Sequence, residues 1–269
     1  MSNGANDLVS HAKALYAKEF TRDSTDEMRA LLEQALGNAR ELAPEASAEA
    51  HALLAGVMIC RYLNRWDEDG EAQLAAAEER IEEALRIAPG TALAHFAKGF
   101  LHRARGRHEL ALAAFRQTLE HNPHFTGAHA QAGAELMNLG RPQEALPHIE
   151  RAIELDPNSS FRGMFYWNMG RILFLLAQYG DAIPWLEKSI AVQKDLWYTR
   201  LYLVSAHALI GQQHEAERAL KEFNDLFPGY TAARAVETDE KVNPNHNLFV
   251  VIGRRNFHVG LRLAGMPEA

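Results

Sequence analysis

The sequence predicts an all-α solenoid of stacked helical hairpins, on three observations. Pro89, Pro123 and Pro157 stand 34 residues apart. Ahead of the second and third of them, a Gly is followed twelve residues later by Ala and four further on by a bulky apolar residue: Gly99, Ala111, Phe115, then Gly133, Ala145, Ile149. Apolar residues also return at three and four positions, as in Leu110, Ala114, Phe115, Thr118 and Leu119, the pattern of a helix that buries one stripe. A unit whose small, large and breaker positions recur in phase is a repeat, and one such hairpin cannot bury its apolar face without neighbours.

From the amino terminus, the first copy spans roughly Asn6 to Pro44 and is the most degenerate, as expected of a terminal repeat with one face in water. The second ends at Pro89 and carries Ala77, Ile81 and Ala84 in its second helix. Its linker, Arg65 to Gly70, is long and polar, which leaves Gly56 as the crossing residue. The two clear copies follow. After a three-residue insertion around Ser159 to Arg162, the copy from Met164 to Lys194 places Gly170, Ala182 and Leu186 in the key positions. In the next, Val204 replaces the crossing Gly ahead of Ala216, Leu220 and Pro228, which predicts looser or shifted packing. The connection inside each hairpin carries Gly106, Gly140 or Gly211, where positive φ is needed, and Ala177 takes that place once. Pro147 and Pro184 share one phase near the start of a second helix and predict a bend there.

Periodicity stops after Pro228. Asn243-Pro244 opens a last segment in which Phe249, Ile252, Phe257, Leu261 and Ala264 are expected on one side of a helix that caps the final repeat, although the run Val250, Val251, Ile252 favours helix poorly. The chain thus divides into a degenerate hairpin at 1–45, the repeat array at 46–228, and a linker with capping helix at 229–269.

Composition bounds the function. With 269 residues and 47% hydrophobic side chains, material for a core is ample, spread along the solenoid. A formal net charge of -7 argues against nucleic acid as the partner, since that binding rests on clustered Lys and Arg. Cys60 is the single cysteine, so no internal disulfide forms, and its neighbours Val57, Met58 and Ile59 mark a small buried hydrophobe. The start MSNGANDLVSHAKALYAKEF lacks the basic opening and apolar run of a secretory signal. With no stretch of about 18 apolar residues anywhere, no membrane partner and a cytoplasmic location are expected.

The small crossing residues Gly99, Gly133 and Gly170, the Ala series Ala111, Ala145, Ala182 and Ala216, and the closing Pro together resemble the tetratricopeptide repeat, over about Ala46 to Pro228. The resemblance implies a right-handed superhelix of about six hairpins whose first helices line a concave groove, acting as a protein interaction scaffold. The aromatic frequent in that family at the third turn of the first helix is replaced by His102, Leu136, Leu173 and His207. The ending FHVGLRLAGMPEA also resembles the last residues of the repeat regions in certain bacterial adenylate cyclases and related regulators, and implies only their non-catalytic, interaction-mediating half.

Mapped by phase, the groove takes Phe96, Phe100, Arg103, Ala130, Ala134, Met137, Asn138, Met164, Trp167, Arg171, Phe174, Tyr198, Leu201 and Ser205. An apolar wall with scattered polar handles suits an amphipathic helix or an extended peptide, while part of the set packs between repeats instead. The Lys and Asn arrangement that clamps a terminal carboxylate in some relatives does not occur at matching positions. Thirteen histidines include His121, His124 and His129 near one turn and His95 and His102 on one helix, but without Cys partners or HExxH spacing no metal and no cofactor are expected. Glu78, Glu79, Glu82 and Glu83 read as a solvated face. Arg254 and Arg255 form a donor pair able to contact an anion, or else serve the helix dipole and acidic neighbours. No nucleophile with its base and no phosphate loop is present, so an enzyme is not expected. Two readings remain: a scaffold for a protein or peptide partner, and an assembly module whose last helix docks on another copy, as a homo-oligomer or the regulatory part of a separately encoded signalling enzyme such as a cyclase.

Overall fold

A computed structural model describes residues 4–16, 18, 21–67, 70–194, 196–242 and 247–268. Among the described residues there are fourteen α-helices, one 3-10 turn at Ala39–Glu41 and no strand. The chain divides into two compact units, Met1–Ala128 and His129–Ala269.

The first unit contains α1 (Ala5–Tyr16), α2 (Arg22–Gly37), α3 (Pro44–Leu63), α4 (Gly70–Ile87), α5 (Ala92–Ala104) and α6 (His108–His121). Consecutive helices pair as hairpins, and α3 packs on α5 to stack one pair on the next. Local chemistry sets the ends. Thr21 caps α2 by accepting from the Ser24 backbone while the Ser24 hydroxyl accepts from the Thr21 N–H, and α3 opens on Pro44, whose missing N–H would have had no partner in the first turn. The repeat phase made Gly56 a crossing residue, and its nearest neighbour is Tyr16 of α1. A Cβ there would lie 2.8 Å from the Tyr16 hydroxyl, so its missing side chain admits α1 against α3. The long linker into α4 is held by Arg61, a buried guanidinium at 5% exposure. It donates to both oxygens of Asp67, at 2.8 and 2.6 Å, and also reaches Asp26 and Thr25 of α2. Cys60 is half-buried, not enclosed, and its burial pushes the thiol above its ordinary range, away from a reactive thiolate.

The second unit begins within α7 (Thr126–Asn138) and continues with α8 (Pro142–Leu155), α9 (Arg162–Leu175), α10 (Tyr179–Val192), α11 (Trp197–Leu209), α12 (Gln213–Leu226), α13 (Ala232–Val242) and α14 (Leu248–Leu263). The crossing positions behave as their phase demands. A Cβ on Gly133 would stand 2.6 Å from Ile149, and one on Gly170 the same distance from Leu186, as one on Gly99 would meet Phe115 in the first unit. Where Val204 takes this place, its partner Leu220 keeps 7% of its surface, whereas Phe115, Ile149 and Leu186 keep none; the added bulk loosens that crossing. The turns also follow the phase: φ is +69° at Gly106, +71° at Gly140 and +78° at Gly211, and Ala177 adopts +58° without being glycine. The helices α8 and α10 run through Pro147 and Pro184.

Beyond Pro228 the sequence pattern gave no sign of α13. The expected opening of the last helix at Asn243-Pro244 lies outside the described residues. From Asn247 onward the helix is clear: the Asn247 carboxamide oxygen accepts from the Phe249 N–H at 2.9 Å, and its nitrogen donates to the Leu139 carbonyl at 3.1 Å. The stripe expected on α14 is split. Phe257, Leu261 and Ala264 are buried, whereas Phe249 and Ile252 are exposed, because five residues from Ile252 to Phe257 turn about 140° around the axis. The buried side is instead completed by Val250, Gly253, Arg254 and Gly260.

Candidate functional site

In the first unit, the expected binding face lies on α5. Phe96 is buried and meets Phe100 edge to face at 5.0 Å, with Phe115 of α6 and Phe125 within 5.6 and 4.7 Å of its ring. The Arg103 guanidinium stands 5.1 Å over Phe100 and 5.4 Å over Phe115. This group is therefore an aromatic cluster nucleated by the notch at Gly99. Phe100 and Arg103 sit at its edge, half-buried, with part of each open to a ligand.

The second unit gathers its candidates around a residue the phase mapping passed over. Tyr202, fully enclosed on α11, lies 4.9 Å from both Trp167 and Phe174 and stacks on Phe257 of α14 at 4.4 Å. Its signal in the sequence was its spacing, four residues after Tyr198 on the same helix face. Burial and the nearby Asp239 carboxylate hold its hydroxyl above the usual tyrosine range. Trp167 and Phe174 are buried in this cluster, and Met137 is buried as well. Met164 and Tyr198 are half-buried and touch, the Tyr198 hydroxyl reaching the Met164 sulfur at 3.4 Å and its ring lying 4.7 Å from Trp167. Asn138 and Arg171 are half-buried.

What covers part of this face is the chain itself. The helix α14 packs along α11 and reaches α9, both first helices of their hairpins. Gly260 rests on Ser205 so closely that a Cβ would lie 2.7 Å from the Ser205 carbonyl, and the Ser205 hydroxyl donates to the Phe257 carbonyl at 3.1 Å. Asn256 donates to the Tyr179 hydroxyl at 2.9 Å, and Gln213 donates to the Leu263 carbonyl at 3.1 Å. The residues after α14 return to α13, where Ala232 N–H donates to the Pro267 carbonyl at 2.8 Å. The helix α14 is thus built along the first helices of the last two hairpins.

Arg254 and Arg255 part company. Arg254 is buried, donates to Asp239 at 3.0 Å and lies 3.6 Å from Glu240, so α13 supplies its anions. Arg255 is exposed and makes no ion pair among the described residues. Histidines pair without forming a larger set: His95 stacks on His121 at 5.0 Å, and the Nδ1 atoms of His129 and His148 are 3.3 Å apart. Among the described residues no group of three metal-ligating side chains occurs, and no helix is long and apolar enough to cross a membrane.

Residues 127–159 and 165–196 each match a tetratricopeptide repeat family model. No curated protein matches the chain. Among solved structures, PilF of Pseudomonas aeruginosa is similar with a TM-score of 0.64 at 17% identity, over 88% of this chain and 97% of that one. YrrB, a TPR protein with an unusual peptide-binding site, gives 0.58 at 17% identity, over 78% and 97%. PilW, a type IV pilus biogenesis factor, gives 0.58 at 20% identity, over 78% and 92%. The protein carries tetratricopeptide repeats in an all-helical solenoid fold, and proteins built from such repeats mediate protein–protein interaction.

Proposed function

We propose that the protein is an interaction module that holds a peptide or helical segment of another protein on the face built by the first helices of its hairpins. One observation carries this reading. In the second unit that face already receives an amphipathic helix, α14, through an aromatic stack at Tyr202 and a close backbone approach at Ser205. A surface that accepts one helix in this way has the apolar wall and polar edge that helix-in-groove binding uses. The half-open groups left to contact a partner are Phe100 and Arg103 on α5 in the first unit, and Met164 and Arg171 on α9 with Tyr198 on α11 in the second. In the second unit the buried Trp167 ring packs against Tyr198, 4.7 Å away, and supports it. The reading also places the protein in the cytoplasm, as a non-catalytic component.

The test is capture of a partner by the immobilised chain, followed by affinity measurement on the partner's binding segment. Phe100→Ala and Tyr198→Ala, each folded by circular dichroism, should weaken binding about tenfold or more, since aromatic anchors at a desolvated site contribute about 2 kcal/mol or more. Unchanged affinity in both would move the site away from this face. Trp167→Ala is the poorer probe, because its 7% exposure makes it part of the core.

The second reading, an assembly module acting beside a separately encoded signalling enzyme such as a cyclase, is favoured by the apolar outer side of α14.

A further inference from the structure

Among the described residues, twelve large apolar side chains are exposed, and six of them lie on the sixteen residues of α14. Exposed apolar residues scattered singly need no explanation, whereas a concentration of this kind marks an interaction surface. Leu248, Ile252, Val259 and Leu263 follow one another at four, seven and four positions. They form a stripe about 22 Å long on the side turned away from α11. Arg255 stands at the middle of the stripe, exposed, and Arg262 flanks its far end, where it pairs with Glu268 at 3.2 Å.

Charge identifies the occupant. The helix contains three Arg and no Asp or Glu, in a chain whose net charge is -7. Asp239 and Glu240 neutralise Arg254, and Glu268 meets Arg262, but Arg255 has no carboxylate among the described residues. A second copy of the chain fits poorly. Antiparallel pairing sets Leu248 against the partner's Leu263 and Ile252 against the partner's Val259, which brings the two Arg255 side chains together beside the two-fold axis. Parallel pairing sets them directly opposite.

We propose that the outer side of α14 docks an amphipathic helix from a partner protein whose apolar stripe carries a carboxylate at its midpoint, opposite Arg255. This surface is separate from the first-helix face and stands whether or not that face binds a peptide.

The probes are two synthetic amphipathic helices with the same leucine stripe, one with Glu and one with Lys at the central position, titrated onto the full chain by fluorescence anisotropy. The Glu peptide should bind at least tenfold more tightly than the Lys peptide, and Arg255→Glu should reverse the order. Ile252→Asp combined with Val259→Asp, both at exposed positions, should abolish binding of the Glu peptide while the circular dichroism spectrum stays unchanged. Equal affinity for the two peptides, no binding of either, or binding that survives the double substitution would overturn the proposal. So would light scattering that finds a dimer dissolved by the same double substitution, since the stripe would then belong to a second copy.

Discussion

The rings of Tyr202 and Phe257 lie nearly parallel, 20° apart, with centroids 4.4 Å from each other, and they join the last helix to the repeat beneath it. Tyr202 in turn meets Trp167 and Phe174, so one stack couples α14 to α11 and α9. Phe257→Ala removes the outer member of this stack and leaves a cavity under the helix. The expected cost is about 3–5 kcal/mol, read as a lower midpoint in chemical denaturation. A cost under about 1 kcal/mol would mean that α14 contributes little to the second unit.

Two glycines on α14 give a sharper test, because their neighbours differ. A Cβ at position 260 would meet the Ser205 backbone, 2.7 Å from its carbonyl oxygen, so the whole helix must move. At position 253 it would meet the far end of the Leu175 side chain, which can turn aside. Alanine favours helix over glycine by about 1 kcal/mol at both sites. Gly253→Ala should therefore be near neutral in denaturation, while Gly260→Ala should destabilise by about 1–3 kcal/mol despite the better propensity.

Ala177 offers a gain. With φ at +58° and an exposed side chain, it carries a left-handed conformation that costs a non-glycine residue about 1–2 kcal/mol. Glycine relieves that strain but adds freedom to the unfolded chain, worth about 0.4–1 kcal/mol. Ala177→Gly should raise stability by up to about 1 kcal/mol and sharpen nothing else; a destabilised variant would show that the turn is not under strain.

This turn also marks how far the sequence could be read. Phase alone placed a left-handed residue at Ala177, and the crossing pairs Gly99 with Phe115, Gly133 with Ile149 and Gly170 with Leu186 were legible because size alternation repeats. Contacts made once in the chain were not legible. Gly56 meets Tyr16, Arg61 binds Asp67, and Gly260 meets Ser205, each joining residues whose spacing recurs nowhere else. The candidate site divided along the same line. First-helix positions were found by phase, but that Tyr202 gathers Trp167 and Phe174 and is itself covered by Phe257 depends on a helix returning from beyond the last repeat.

Arg61 and Asp67 provide the pH test. The Arg61 hydrogen bonds hold the Asp67 carboxyl below the usual carboxylate range, so the folded chain releases that proton more readily than the unfolded one. A depressed folded value contributes stability that is complete above the unfolded value, about 3.9, and is lost as pH falls through the lower folded value. Asp67→Asn keeps the shape but removes the charge opposite a buried guanidinium, which should cost about 1.5–3 kcal/mol at pH 7. Other carboxylates titrate in both proteins, so the informative quantity is the difference between wild type and variant. That difference should shrink steadily as denaturation is repeated from pH 5 toward pH 2. A gap equally wide at both ends would mean that Asp67 acts only as a neutral linker residue, and that the tie between α3 and the start of α4 lies elsewhere.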